Sequence, residues 1–198
     1  MAARDTAWGP MELNRAAAQE AAEALRAAGW ELELQLPNLP LIAPEGEAKD
    51  LVRRAKEEDA EPVWRGDAFL LLGKAQDLPA VLEHCRDELG YALLYDATAV
   101  DPSVDSAELK LIYGLRNLQT KARLIVQARV PKTEAVVPSV ALVYPAADWH
   151  EREAAEMYGI TYTGHPDPRK LLLPDDWAGF PLRKDYEYPE EYNGISCT

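Results

Sequence analysis

The run from Glu151 to Asp185 reads EREAAEMYGITYTGHPDPRKLLLPDDWAGFPLRKD and concentrates groups able to do chemistry. His165 invites general acid–base work, because an imidazole ordinarily titrates near neutrality and Asp167 stands two residues on. No nucleophile sits in a recognised motif beside it, and the histidine of Gly-His-Pro-Asp serves equally well as a turn anchor. His150-Glu151-Arg152-Glu153 suggests a helical zinc site, but that motif needs a second histidine four residues after the first, and position 154 is alanine. Glu153 and Glu156 share a helix face as paired carboxylates can, an arrangement common on charged helices. Arg152 and Glu156 are spaced for an ordinary intrahelical ion pair.

Redox and nucleotide chemistry fare no better. Neither a dinucleotide fingerprint nor a phosphate-binding P-loop occurs, so the chain is not expected to bind NADH. Two cysteines, Cys85 and Cys197, are too few for the four thiolates an iron–sulfur cluster usually takes, and they read as free thiols rather than a disulfide framework. No catalytic, cofactor or metal residue is therefore assigned. What remains are two basic pairs, Arg169-Lys170 and Arg183-Lys184, in a proline-bounded stretch with aromatics. Arginine forks and aromatic rings are enriched at interface hot spots, so docking to a partner is the favoured use.

The preceding elements must position this run. Leu13, Ala17, Ala21, Ala24, Leu25 and Ala28 recur at helical spacing and predict a helix over 11–28 that Gly29 ends. Trp30 to Leu36 alternates apolar and polar residues as a half-buried strand does, with Pro37 and Pro40 beyond it. Residues 37–61 begin proline-rich and become charged, which reads as a solvated insertion with room for a short helix near 47–58. Phe69 to Leu72 is a strand, followed by a helix with Asp77 as N-cap, Pro79 in its first turn and a stop at Gly90. Residues 91–100, 109–118 and 122–130 form a meander of three strands. In the last of them Leu124, Val126, Ala128 and Val130 alternate with Arg123, Ile125, Gln127 and Arg129, so one face is polar apart from Ile125. Pro138 to Tyr144 and Ala147 to Tyr158 look helical, the second with Asp148 near its start and Gly159 at its end. Pro166, Pro168, Pro174, Pro181 and Pro189 then rule out long regular elements, so the tail is expected to be extended and to lean on something.

The predicted fold is α+β, with helices on one face of a small mixed, largely antiparallel sheet and an extended C-terminal segment. Residues 1–147 make the domain and 148–198 the helix and tail. With 47% apolar residues in 198 the chain supports one core. A net charge of −13 and a pI near 4.7 oppose nucleic-acid binding and direct contact with an anionic membrane. Without an apolar run of membrane-spanning length or a secretory signal, a cytoplasmic location is the default.

Glu151-Arg152-Glu153, Glu156-Met157-Tyr158-Gly159-Ile160, Gly164-His165-Pro166-Asp167, Arg169-Lys170-Leu171-Leu172 and Pro181-Leu182-Arg183-Lys184-Asp185 together resemble the signature of the C subunit of bacterial NADH:quinone oxidoreductase, respiratory complex I. Glu156 stands where the family commonly has Asp, Pro168 where it has Leu, and Phe180 where His is frequent. The signature covers about the last quarter of the chain. The resemblance implies a non-redox subunit in the hydrophilic arm, on the cytoplasmic face of the bacterial membrane and bound to the membrane only through the complex. It would lie beside the large quinone-site subunit, with FMN and iron–sulfur clusters in partner subunits and ion translocation in the whole enzyme. Under it, Glu151, Arg152, Glu153 and Glu156 order the junction of domain and tail. Tyr158, Tyr162, Trp177 and Phe180 serve as apolar anchors, and His165, Asp167, Arg169, Arg183, Lys184 and Asp185 complete the partner interface. Two other readings stand beside this one: the equivalent scaffold subunit of a related membrane-bound hydrogenase, and a free-standing hydrolase using Glu153 or His165.

Overall fold

Among the described residues, alanines line the contacts between helices and sheet. Helix α1 (Met11–Ala27) buries Ala18, Ala21, Ala22 and Leu25 against the sheet. Strand β3 (Leu93–Val100) turns Ala97 and Ala99 toward helix α3 (Ala147–Tyr158), which answers with Ala147 and Ala154. Small residues on both partners let a helix settle near a sheet without leaving voids. A computed structural model describes residues 11–35 and 69–196; the predicted short helix near 47–58, the insertion around it and Cys197 lie outside the described residues.

The main sheet has the order β1 (Leu32–Gln35), β2 (Phe69–Leu72), β5 (Arg123–Pro131), β4 (Glu108–Arg116), β3. Its one parallel pair is β2–β5; the other neighbours are antiparallel, so the sheet is mixed and largely antiparallel as predicted. Leu109, Leu111, Tyr113 and Leu115 of β4 and Leu124, Val126, Ala128 and Val130 of β5 point to the helical side and are buried. At about 25 cal/mol per Å² of apolar surface removed from water, this layer is the main source of stability. Helix α2 (Leu78–Asp87) adds Leu78, Val81, Leu82 and Cys85 to the same core. Burial pushes the Cys85 thiol up to about 12, which leaves it an inert packing residue.

Three local expectations are corrected. Asp77 holds the predicted N-cap position of α2, but it ends a 3-10 turn over Ala75–Asp77 and makes no side-chain capping bond. The polar face expected of β5 is covered at its centre, since both Ile125 and Gln127 are 8% exposed. Residues 138–144 do not form a helix. Pro138 instead closes strand β6 (Val136–Pro138), paired in parallel with β7 (Thr161–Thr163), and a turn follows. Six residues between Pro138 and Pro145 are too few to repay helix nucleation, and Pro145 disfavours helical backbone at Tyr144. The turn is pinned from outside: the Tyr144 hydroxyl donates to the Tyr91 carbonyl at 2.6 Å, and Arg86 donates to the Val143 carbonyl at 2.7 Å.

Beyond β7 the chain runs through turns and bends to a short hairpin, β8 (Glu191–Tyr192) with β9 (Ile195–Ser196). Among the described residues no helix is long and apolar enough to cross a membrane.

Candidate functional site

Helix α3 starts over Ala147 and ends where Gly159 adopts φ +71°, a left-handed cap that glycine takes without steric penalty. Two of its charged residues face inward. Glu151 is 1% exposed and Glu156 is 6% exposed. A buried carboxylate must be satisfied by hydrogen bonds, and each of these is, but in different ways.

Glu151 organises the turn before its own helix. The Ser139 hydroxyl donates to Oε2 at 2.5 Å and the Val140 N–H to Oε1 at 2.8 Å. His165 lies above them: its Nε2 is 3.8 Å from Glu151 Oε2, 3.6 Å from Asp148 Oδ1 and 3.1 Å from the Asp148 carbonyl. The Asp167 N–H donates to His165 Nδ1 at 3.0 Å, so the ring proton belongs on Nε2, where it meets the Asp148 carbonyl. Tyr113 and Tyr162 flank the group, and burial pushes both phenols upward. Burial also raises the Glu151 carboxyl, while the Ser139 hydroxyl and Val140 N–H act against that rise. Ser139 gives its proton to Glu151 rather than to His165, so no serine–histidine pair is formed. The histidine fixes the turn at 165–167, as its Gly-His-Pro-Asp setting suggested.

Glu156 and Arg152 grip the tail. Glu156 accepts the N–H groups of Leu171 at 3.1 Å, Leu172 at 2.7 Å and Leu173 at 3.0 Å. Arg152, one helical turn earlier, donates from Nε to the Arg169 carbonyl at 2.8 Å and from Nη2 to the Lys170 carbonyl at 3.0 Å. The spacing read as an ordinary intrahelical pair thus serves as a two-sided clamp, carboxylate on amides and guanidinium on carbonyls. Asp167 sits 3.6 Å from Arg152 and forms a two-pronged pair with Arg169 at 2.7 Å. The Arg169 guanidinium holds the Asp167 carboxyl well below the usual range. Lys170 caps a loop by donating to the carbonyls of Pro174, Asp175 and Trp177 at 3.0, 3.0 and 3.2 Å.

The second grip lies at the helix C-terminus. Arg183 donates to the Tyr158 carbonyl at 2.6 Å and to the Lys132 carbonyl at 3.1 Å, and its guanidinium stacks over the Phe180 ring at 4.8 Å. A cation there also complements the negative end of the helix dipole. Phe180 packs on Gly159 so closely that a Cβ at 159 would lie 2.5 Å from the ring. Asp101, just past β3, pairs with Lys132 Nζ at 2.7 Å and accepts the Lys184 N–H at 2.9 Å, in a place where the Asp101 side chain is fully buried. Trp177 and Tyr192 pack with their rings tilted at 55° and centroids 5.1 Å apart.

The structure therefore brings together Glu151, His165 and Tyr162 in one cluster, Arg152, Glu156, Asp167 and Arg169 in a second, and Tyr158, Phe180 and Arg183 in a third. Trp177 belongs to none of these. Glu153 and the side chains of Lys184 and Asp185 face outward. Asp101, Lys132 and Ser139 carry no signal in the sequence. Asp101 and Lys184 are 83 positions apart and no spacing rule links them. Among the described residues no group of three or more His, Cys, Asp or Glu could hold a metal ion.

Comparison with known proteins identifies the family and the fold. Residues 71–192 match the family model of the respiratory-chain NADH dehydrogenase, 30 Kd subunit. The NADH-quinone oxidoreductase C subunit of Chloroherpeton thalassium is 47% identical over 106 residues, which is 52% of this chain but only 44% of that relative. The C subunit of Geotalea uraniireducens is 37% identical over 123 residues, covering 62% of this chain and 74% of that one. Among solved structures, a trypsin-resistant fragment (1–134) of Nqo5 has the same fold, with a TM-score of 0.53 at 21% identity, covering 76% of this chain and 98% of the fragment. With its signature helix and strap both inside the matched span, the chain belongs to the respiratory-chain NADH dehydrogenase 30 Kd subunit family.

Proposed function

We propose that this chain is a structural subunit of a proton-translocating NADH:quinone oxidoreductase, on the cytoplasmic face of the membrane, and that it carries no redox centre. Electrons pass from NADH through FMN and iron–sulfur clusters of partner subunits to quinone, while this chain holds a neighbour, the large quinone-site subunit, in register. Electron transfer depends on fixed distances between centres, which a rigid scaffold supplies.

The observation that carries this reading is the direction in which the strap's side chains point. Arg152, Glu156 and Arg183 lock its backbone to the domain, while Leu172, Leu182 and Tyr188 stand 60%, 46% and 63% exposed, with Lys184 and Asp185 also outward. A rigid backbone presenting apolar and charged groups outward loses little entropy on binding.

The test compares two variants of the full chain in its membrane complex. Lys184→Ala with Asp185→Ala removes outward contacts only, and Arg183→Ala loosens the strap itself. Reduced co-purification of the quinone-site subunit and reduced quinone reductase activity are expected of both. Normal assembly and activity in both would sink the docking role. The set of proteins that accompanies the wild-type chain also separates this complex from a hydrogenase-type relative, which lacks the flavin-bearing NADH subunit.

A further inference from the structure

His165 is held at the first turn of the strap in a way that only one protonation state permits. Its side chain is 2% exposed. Nδ1 accepts the Asp167 N–H at 3.0 Å and Nε2 donates to the Asp148 carbonyl at 3.1 Å, so the seated ring is the neutral imidazole with its proton on Nε2. A second proton would go to Nδ1 and turn that atom into a donor aimed at another donor. The Asp167 N–H would then lose its acceptor, and the turn over 165–167 would have to open toward water to satisfy it.

Two carboxylates of α3 favour that second proton. Asp148 Oδ1 lies 3.6 Å and Glu151 Oε2 3.8 Å from Nε2, and opposite charge at such range stabilises an imidazolium. Asp148 Oδ1 is buried and has no hydrogen-bond partner among the described residues, so a charged ring beside it relieves a cost that the neutral state carries. The Asp148 side chain as a whole is 31% exposed, which gives protons a way in from solvent. The remaining neighbours do not compete for the charge. Tyr162 of β7 and Tyr113 of β4 stay protonated because burial pushes both phenols up, and Ser139 gives its proton to Glu151. The Asp167 carboxylate is taken by Arg169 at 2.7 Å, with Arg152 at 3.6 Å. Burial and the Asp167 amide thus hold the ring neutral while Asp148 and Glu151 pull it toward the charged form, and opposed forces on one imidazole are what a pH switch requires.

We propose that His165 is a proton-operated latch on the first turn of the strap. Neutral, it closes the turn by accepting the Asp167 N–H; protonated, it releases that N–H and pairs with Asp148 and Glu151. Asp167 is the point at which the change reaches the strap, since its carboxylate holds Arg169 and lies beside Arg152. The response stays local, because Glu156 holds the amides of Leu171, Leu172 and Leu173 without help from His165. The latch belongs to the chain itself and operates whatever partner the strap meets.

The experiment follows the full chain by NMR between about pH 7.5 and about pH 5.5, where an imidazole ordinarily changes charge. Protection of the Asp167 amide from solvent exchange, corrected for the intrinsic pH dependence of exchange, should fall about fivefold or more in step with the His165 ring shifts, while the amides of β4 and β5 keep theirs. His165→Asn separates the latch from general loosening in acid. An asparagine side chain also accepts the N–H two residues on but carries no proton that titrates in this range, so Asp167 protection in that variant should not change with pH. Asp148→Asn removes a carboxylate that favours the charged ring, so ring and amide should both respond at lower pH than in wild type. A ring that titrates with no change at the Asp167 amide, a ring that stays neutral throughout the range, or an unaltered pH dependence in His165→Asn would each overturn the proposal.

Discussion

In the body of the molecule Leu70, Leu111, Leu124 and Val126 are fully buried in one layer between the sheet and the helices. In the strap from 165 to 192, Leu172, Leu182 and Tyr188 are exposed, and the backbone is held by side chains reaching in from elsewhere: Glu156, Arg152, Asp101 and its own Arg183. Backbone N–H and C=O groups need partners wherever the chain packs. In the sheet they find them in neighbouring strands, and in the strap they find them in carboxylates and guanidinium groups. The body is thus held by many interchangeable contacts, and the strap by a few that are not. Loss of one contact should soften the body uniformly but release the strap locally.

The widest gap between the two regions is expected from Leu111→Ala. Removing a fully buried leucine should cost about 2–5 kcal/mol of global stability, read as a lowered urea midpoint for the full chain. A loss under about 1 kcal/mol would mean that the layer is not close-packed and would remove one side of the contrast. Next comes Glu156→Ala, which leaves the amides of Leu171, Leu172 and Leu173 without their acceptor. About 2 kcal/mol of local stability should go, since these groups are part-buried and water replaces some of what is lost. Hydrogen exchange at those three amides should accelerate more than about tenfold while β4 and β5 stay protected. Equal acceleration in the sheet would show that strap and body unfold as one unit.

This contrast also explains how much is legible in the sequence. Periodicity is the signature of apolar layers, so α1, β2, the meander and α3 can be placed from Leu, Val and Ala spacing alone. Residues 138–144 mislead because Val140, Ala141 and Val143 supply apolar residues at helical intervals, while the hydrogen bonds that decide the turn come from Glu151 and Tyr144. The strap is recognisable as extended from its prolines, but its path is not. Glu156 and Arg152 look like partners of each other, and nothing local shows that they reach residues 169–173. Asp101 reads as an ordinary turn residue, though its carboxylate is fully buried between Lys132 and the Lys184 amide.

A smaller effect separates packing from backbone conformation at the helix end. Gly159 has φ +71° and meets Phe180, whereas Gly164 has φ +77° and open space, with nothing within 4 Å of where a methyl would sit. Alanine at either site costs about 1 kcal/mol for the left-handed backbone. Only Gly159→Ala must also displace Phe180 and, with it, the ring under Arg183. Trypsin should therefore cut after Arg183 faster in Gly159→Ala than in Gly164→Ala. Equal rates would show that Phe180 is not what seats the strap.

The smallest effect concerns pH, where two carboxyl groups act with opposite sign. Asp167 has its folded pKa lowered by Arg169, so whatever it contributes is present above about 3.8 and fades as pH falls below that. Glu151 has its folded pKa raised by burial, so the native state takes up its proton before the unfolded chain does. Stability linked to Glu151 is complete below about 4.5 and declines as pH rises through the folded value. Glu151→Gln removes the titration while keeping one oxygen for the Val140 N–H or the Ser139 hydroxyl. The stability of wild type relative to Glu151→Gln, followed by urea midpoint, should therefore rise as pH is lowered toward about 4.5 and then level off. A difference that instead grows with rising pH would mean that contact with His165 outweighs desolvation. The cluster beneath the strap would then be held by charge, as the strap itself is, and the division between an apolar body and an ionic strap would move inward from residue 165 to helix α3.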